Sequence, residues 1–141
     1  MNNETLLQLA FNNVAQANLL TIVSSGKIVL ANNAAGKLTG YSKGELLNKS
    51  ITSVFTTNEI SYKKMLRQRD AEGQAVARVK VIKKSGEPLT CEITSAVFTD
   101  EDGIKKAITN IAELSQSILK QKEIDTKKHE IVESNIIFSF I

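Results

Sequence analysis

Residues 31–55, ANNAAGKLTGYSKGELLNKSITSVF, pack the signals of a helix, a stop and a second helix into a span too short for one long helix. Ala34, Ala35 and Leu38 repeat at helical spacing, and Gly40 stands where a left-handed residue would end that helix. Ser42 is spaced to cap the next helix, with Glu45 at the third helical position of a capping box. Two short helices therefore meet at Gly40-Tyr41. A Cβ is disfavoured in the left-handed conformation, so substitution at Gly40 is expected to cost more than at Gly26, which reads as part of a solvent-facing turn.

Downstream, residues 79–93, VKVIKKSGEPLTCEI, hold two period-two apolar runs around Lys84-Ser85-Gly86-Glu87 and read as a hairpin. Residues 74–83 place Ala75, Ala77, Val79 and Val81 on one face, and residues 89–98 place Leu89, Cys91, Ile93, Ser95 and Val97 on one face. Residues 100–103 form a further turn before a last strand at 104–111. Upstream, residues 19–23 and 27–31 are short runs around Ser24-Ser25-Gly26, a first hairpin. Between the hairpins, residues 58–72 predict a helix capped by Thr57 or Asn58 and ended by Gly73, with Ile60, Met65 and Leu66 pointing inward. Five strands with helices inserted after the second predict an α+β fold: a five-stranded antiparallel sheet with short helices over one face.

The two ends read differently. Over residues 3–17, Leu6, Leu7, Ala10, Phe11, Val14 and Ala17 recur at three- and four-residue steps and predict an amphipathic helix. Such a stripe packs either on its own domain or on the same helix of a second chain. From residue 113 to 133 there is no Gly or Pro, and Leu114, Ile118, Ile124 and Ile131 are spaced as in a short coiled coil, with one break in the heptad between Ile118 and Ile124. The expected organisation is an N-terminal helix (1–18), a core domain (19–112), an outgoing helix (113–134) and an uncharged apolar tail (135–141).

An Asn-containing helix, the Gly-Tyr-Ser-x-x-Glu-Leu step at 40–46, the Lys-x-Gly hairpin at 84–86 and a closing strand follow one another within one domain length. In that order they resemble the PAS sensor domain of bacterial signalling proteins, from about residue 19 to 113. The resemblance implies a ligand space between the helix bearing Ile60, Met65 and Leu66 and a sheet face bearing Val79, Val81, Cys91, Ile93 and Ile108. It also implies a homodimer through Leu7, Phe11 and Val14 and through Leu114 and Ile118 of the outgoing helix. Glu45 and Lys84 match positions that form a surface ion pair in flavin-type relatives. Where PAS domains often show Asp-Ile-Thr at the exit, this chain has Asn110-Ile111-Ala112.

Cofactor chemistry of the family is not expected here. Ile51 occupies the position of the flavin photosensors' reactive cysteine, and Val81, Cys91 and Ile108 match the positions that read the flavin ring. No histidine lies in the 58–72 helix to ligate haem; the single His129 lies beyond the domain and reads as one polar residue in a charged run. An unidentified small apolar ligand stays open.

The composition excludes further classes. Eighteen Lys and Arg against fifteen Asp and Glu give a net charge of +3, but the two signs are interspersed, so no phosphate-tracking stripe forms and nucleic acid is not an expected partner. One cysteine rules out an internal disulfide and a multi-cysteine metal site and agrees with a reducing cytoplasm. No signal peptide opens the chain, and no window approaches the roughly 20 apolar residues that span a bilayer. With no phosphate loop, Ser/His/Asp set or metal cluster, catalysis is not expected. The reading is a cytoplasmic sensory module regulating an output domain of histidine kinase or diguanylate cyclase type. Its alternative is a ligand-free dimerisation module with a filled core; a third class, an enzyme on a similar fold, lacks a polar pair facing a cavity.

Overall fold

A computed structural model of the protein describes residues 3–114. Helix α1 (Asn3–Asn13) leads into a hairpin of β1 (Ala17–Ile22) and β2 (Ile28–Ala31). Helices α2 (Asn33–Thr39) and α3 (Lys43–Leu47), a 3-10 turn at Ile51–Ser53 and helix α4 (Ile60–Glu72) follow. Strands β3 (Gln74–Ile82), β4 (Pro88–Thr99) and β5 (Lys105–Glu113) complete one antiparallel sheet in the order β2-β1-β5-β4-β3. The expected α+β architecture is therefore the one observed.

The central helices form as their end signals dictate. Gly40 has φ 80° and its N–H donates to Gly36 O, closing α2; Ser42 and Glu45 make both bonds of the capping box on α3. At the start of α2, Asn32 is fully buried and its side chain makes three bonds. Its Oδ1 accepts from Ala35 N at 3.0 Å, capping the helix, and from Asn18 N at 2.9 Å, while its Nδ2 donates to Gln16 O at 2.8 Å. One amide thus locks the end of β2, the entry to β1 and the first turn of α2 together. Helix α4 starts later than expected, with Glu59 rather than Thr57 or Asn58 at its cap and no side-chain cap bond, and ends at Gly73 in the left-handed region as expected.

The core lies between the helices and one face of the sheet. Leu19, Ile28, Leu46, Val54, Val79, Val81, Cys91 and Ile93 are fully buried there. The first helix is shorter than the predicted 3–17. Ala17 pairs with Ile111 as the first residue of β1, because the bonds Asn32 makes to Gln16 and Asn18 hold the chain extended. At the other end, Glu113 pairs with Cys91 and Leu114 N donates to Thr90 O at 3.0 Å, so Glu113 and Leu114 continue the sheet rather than begin a helix. Ile118, the rest of the predicted outgoing helix, His129 and the apolar tail lie outside the described residues.

The expected tolerance of Gly26 is corrected. It has φ 71°, and a Cβ there would lie 2.9 Å from Ser50 Oγ and 3.1 Å from Ile51 Cγ2. At Gly40 the nearest atom is Lys84 Cβ at 3.7 Å. The turn faces another segment of the chain rather than open solvent. Since the conformational penalty of about 1 kcal/mol is common to both, Gly26→Ala is expected to unfold at a lower denaturant concentration than Gly40→Ala. Equal midpoints would mean that Ser50 and Ile51 do not pack against the turn. Asn32→Ala removes a cap and strands the buried Asn18 N–H, for an expected loss of about 2–4 kcal/mol in equilibrium denaturation. A loss below about 0.5 kcal/mol, the low end for a cap alone, would show that the three bonds are replaced by water.

Candidate functional site

Helix α4 turns Tyr62, Met65, Leu66 and Arg69 toward the sheet, the one-face spacing of an amphipathic helix. Opposite them, β4 contributes Ile93 and Ser95 and β5 contributes Thr109, with Ile93 facing Ile111 and Ser95 facing Thr109 across the ladder. Ile51, Phe55 and the β1–β2 turn close the remaining sides of a cavity of about 320 Å³. Phe55 and Tyr62 meet edge to face with ring centroids 6.3 Å apart, fixing one wall.

The polar part of this wall is a chain of three side chains. Arg69 is only 7% exposed, and its Nη1 donates to Ser95 Oγ at 3.0 Å. Ser95 Oγ lies 2.9 Å from Thr109 Oγ1, and both hydroxyls are buried. The Nε of Arg69 is buried with no hydrogen-bond partner among the described residues. A buried donor left unpaired costs roughly 1–3 kcal/mol, more when charged, so this arrangement is poorly accounted for by stability. Burial raises the Tyr62 hydroxyl above its ordinary pKa, and the neighbouring Arg69 charge opposes that shift.

The sequence-predicted pocket residues divide into three groups. Met65, Leu66 and Ile93 line the cavity. Val79, Val81 and Cys91 are 0–1% exposed and belong to packed core beyond it. Ile60 and Ile108 are corrections. Ile60 is 70% exposed, because it stands two residues before Tyr62 and so on the opposite side of α4. Ile108 pairs with Leu20 and Ala96 on the outer face, since the inward parity of β5 is set by Ala107, Thr109 and Ile111. The position that would read a flavin ring from β5 is therefore not Ile108. Val81 and Cys91 have no strong donor or acceptor to offer such a ring, and Ile51 supplies no nucleophile. Arg69, Ser95 and Thr109 were missed, although Ser95 shares the parity of Cys91 and Ile93, and Arg69 follows Met65 by one helical turn.

Two further features lie outside the cavity. Lys84 Nζ and Glu45 Oε2 are 3.0 Å apart, the ion pair implied by the resemblance; the hydrogen bond from Lys84 and the Ser42 backbone bond hold the Glu45 carboxyl below its ordinary pKa. On the outer face, Leu7 and Phe11 of α1 face Leu20, Leu30, Phe98 and Ile108 across an open apolar groove of about 440 Å³. Val14 lies past the end of α1 and is 44% exposed. Among the described residues no group of three or more potential ligands is placed to hold a metal, and no helix is long and apolar enough to cross a membrane.

A family model described as PAS domain matches residues 17–116. Among solved structures, the PAS domain of a two-component sensor histidine kinase is 15% identical, with a TM-score of 0.69 over 79% of this chain and 96% of that one. The PAS domain of a protein from Colwellia psychrerythraea is 17% identical, with a TM-score of 0.71 over 82% of this chain and 99% of that one. A fungal LOV domain photoreceptor is 25% identical, with a TM-score of 0.62 over 79% of this chain and 89% of that one. No curated protein matches the chain.

Burial, with a smaller contribution from Glu113, pushes the Cys91 thiol up to about 11. The thiolate is the reactive form, so the folded protein is expected to resist Ellman's reagent at about pH 8. One equivalent, from the single cysteine, should react after denaturation. Immediate stoichiometric labelling of the folded protein would take Cys91 out of the core.

Proposed function

The chain belongs to the PAS domain family, and on that premise we propose that it is a cytoplasmic sensory and signal-transduction module controlling an output domain rather than an enzyme. The observation that carries this reading is the cavity between α4 and the sheet, with Arg69, Ser95 and Thr109 in its wall. Thr109 lies on β5, the strand that leaves the domain at Glu113. A ligand that binds one arrangement of this wall better than another biases β5 and the segment beyond it, and only that difference in affinity drives the signal. The output is of histidine kinase or diguanylate cyclase type, in keeping with the sensor histidine kinase that supplies one structural neighbour.

The module works as a homodimer in this reading, with Leu7 and Phe11 on the outer groove and Ile118 of the outgoing segment at the contact. Support comes from Leu7, Leu30, Phe98 and Ile108, each at least 39% exposed along the outer groove. Covering that much apolar surface is favourable by roughly 25 cal/mol per Å². The alternative, a ligand-free dimerisation module, is favoured by the solid packing of Val79, Val81 and Cys91 beneath the hairpin.

Native mass spectrometry of the full chain separates the two. The sensory reading expects a dimer carrying a small molecule that departs on unfolding, or a dimer that acquires one from a metabolite mixture. Dimers that never take up a small molecule support the alternative. A monomer at high concentration in light scattering removes the dimer from both, whereas Phe11→Glu is expected to convert dimer to monomer.

A further inference from the structure

We propose that the cavity beneath α4 binds a small monocarboxylate, with its carboxylate on Arg69 and the Ser95–Thr109 hydroxyl pair and its apolar body along Met65, Leu66 and Ile93. The inference rests on the sensory reading above and adds the chemical class of the ligand.

Charge is the first reason. Arginine is almost never buried without a partner, yet Arg69 is 7% exposed and its one side-chain bond goes to a neutral hydroxyl. No Asp or Glu among the described residues lines the cavity. The acids nearest in sequence, Asp70 and Glu72, are exposed, and Glu72 Oε2 accepts from Gln68 Nε2 at 3.3 Å. Among the described residues, the positive charge in the cavity is therefore uncompensated.

Proton counting is the second reason. Ser95 and Thr109 carry one hydroxyl proton each, and the bond between them uses one, whichever atom donates. The other has no acceptor among the described residues. Together with Arg69 Nε–H, the wall thus presents two buried donors without acceptors. A carboxylate accepts several hydrogen bonds and donates none, and its plane matches the guanidinium fork.

The rest of the lining selects within anions. Ile51, Phe55, Met65, Leu66 and Ile93 suit a hydrocarbon body, and one buried guanidinium balances a single negative charge. Exposed Lys63 stands at the mouth with the same sign and draws an anion toward it.

The test uses the full chain, refolded from denaturant to strip any carried ligand. It is titrated by calorimetry with straight-chain acids from acetate to octanoate, with phenylacetate and its neutral isostere phenylacetamide, and with inorganic phosphate. At least one acid is expected to saturate the protein, phenylacetamide to bind roughly tenfold or more weakly than phenylacetate, and Arg69→Met to erase that preference. Thr109→Val, which keeps the shape and removes a hydroxyl, should weaken acid binding several-fold and serves if Arg69→Met does not fold. Amide binding as tight as acid, or phosphate alone binding, overturns the carboxylate while leaving a sensory cavity standing. If no acid saturates the protein, the inference falls; if native mass spectrometry then also finds no small molecule taken up, the sensory reading falls with it.

Discussion

An antiparallel sheet of five strands has two edges, and the structure depends on closing both with a single connection. Residues 49–56 run from the outer edge of β2 to the outer edge of β3. On one side Ile28 N donates to Lys49 O at 3.1 Å and Ile51 N to Gly26 O at 2.8 Å. On the other, Ile82 N donates to Val54 O at 2.8 Å and Thr56 N to Lys80 O at 3.0 Å. Unpaired edges invite association with other chains, and this strap pairs one end of each edge strand. It also bends the structure into a cup, and Ile51 and Phe55 from the strap become walls of the cavity.

What remains inside the cup is held by two kinds of polar group with opposite meanings. Asn32 is fully buried with both ends of its amide bonded, and the result is rigidity: three separate segments share one side chain. Arg69 is almost as buried, but among the described residues its Nε is unpaired, and the Ser95–Thr109 hydroxyl pair that it joins at Ser95 has a proton to spare. A satisfied buried polar group helps specify a fold, whereas an unsatisfied one at the wall of a cavity costs stability and leaves a donor to be met by whatever occupies that cavity.

The two faces of the sheet divide the work. Inner positions on β4 and β5, Ser95 and Thr109, touch the cavity, while Ile108, next to Thr109, looks out into the groove bordered by α1. A shift of β5 that begins at Thr109 is therefore felt on the outer face as well, because adjacent residues of one strand serve both. On the proposed sensory reading, this alternation is what would couple a small molecule in the cavity to a partner on the outer face.

Much of the architecture was legible in the sequence because its signals are local. The stop at Gly40, the capping box of Ser42 and Glu45 and the period-two runs around the 84–86 hairpin depend on residues within a few positions of one another. Helical spacing turned Met65 and Leu66 inward, and the family resemblance placed them with Ile93 against a cavity. Side-chain facing over a strand's full length was less secure: Ile108, expected on the cavity face, lies on the outer face because Ala107, Thr109 and Ile111 are the inward residues of β5. What only the tertiary structure decided was long-range. It brought Arg69 to Ser95 and Thr109, packed Ser50 and Ile51 onto Gly26, and had Asn32 cut α1 short of Ala17 by capturing Gln16 and Asn18. The physical reason is that propensity and periodicity act within one element, whereas a buried charge acquires its meaning from which other elements face it and whether any of them carries the opposite sign.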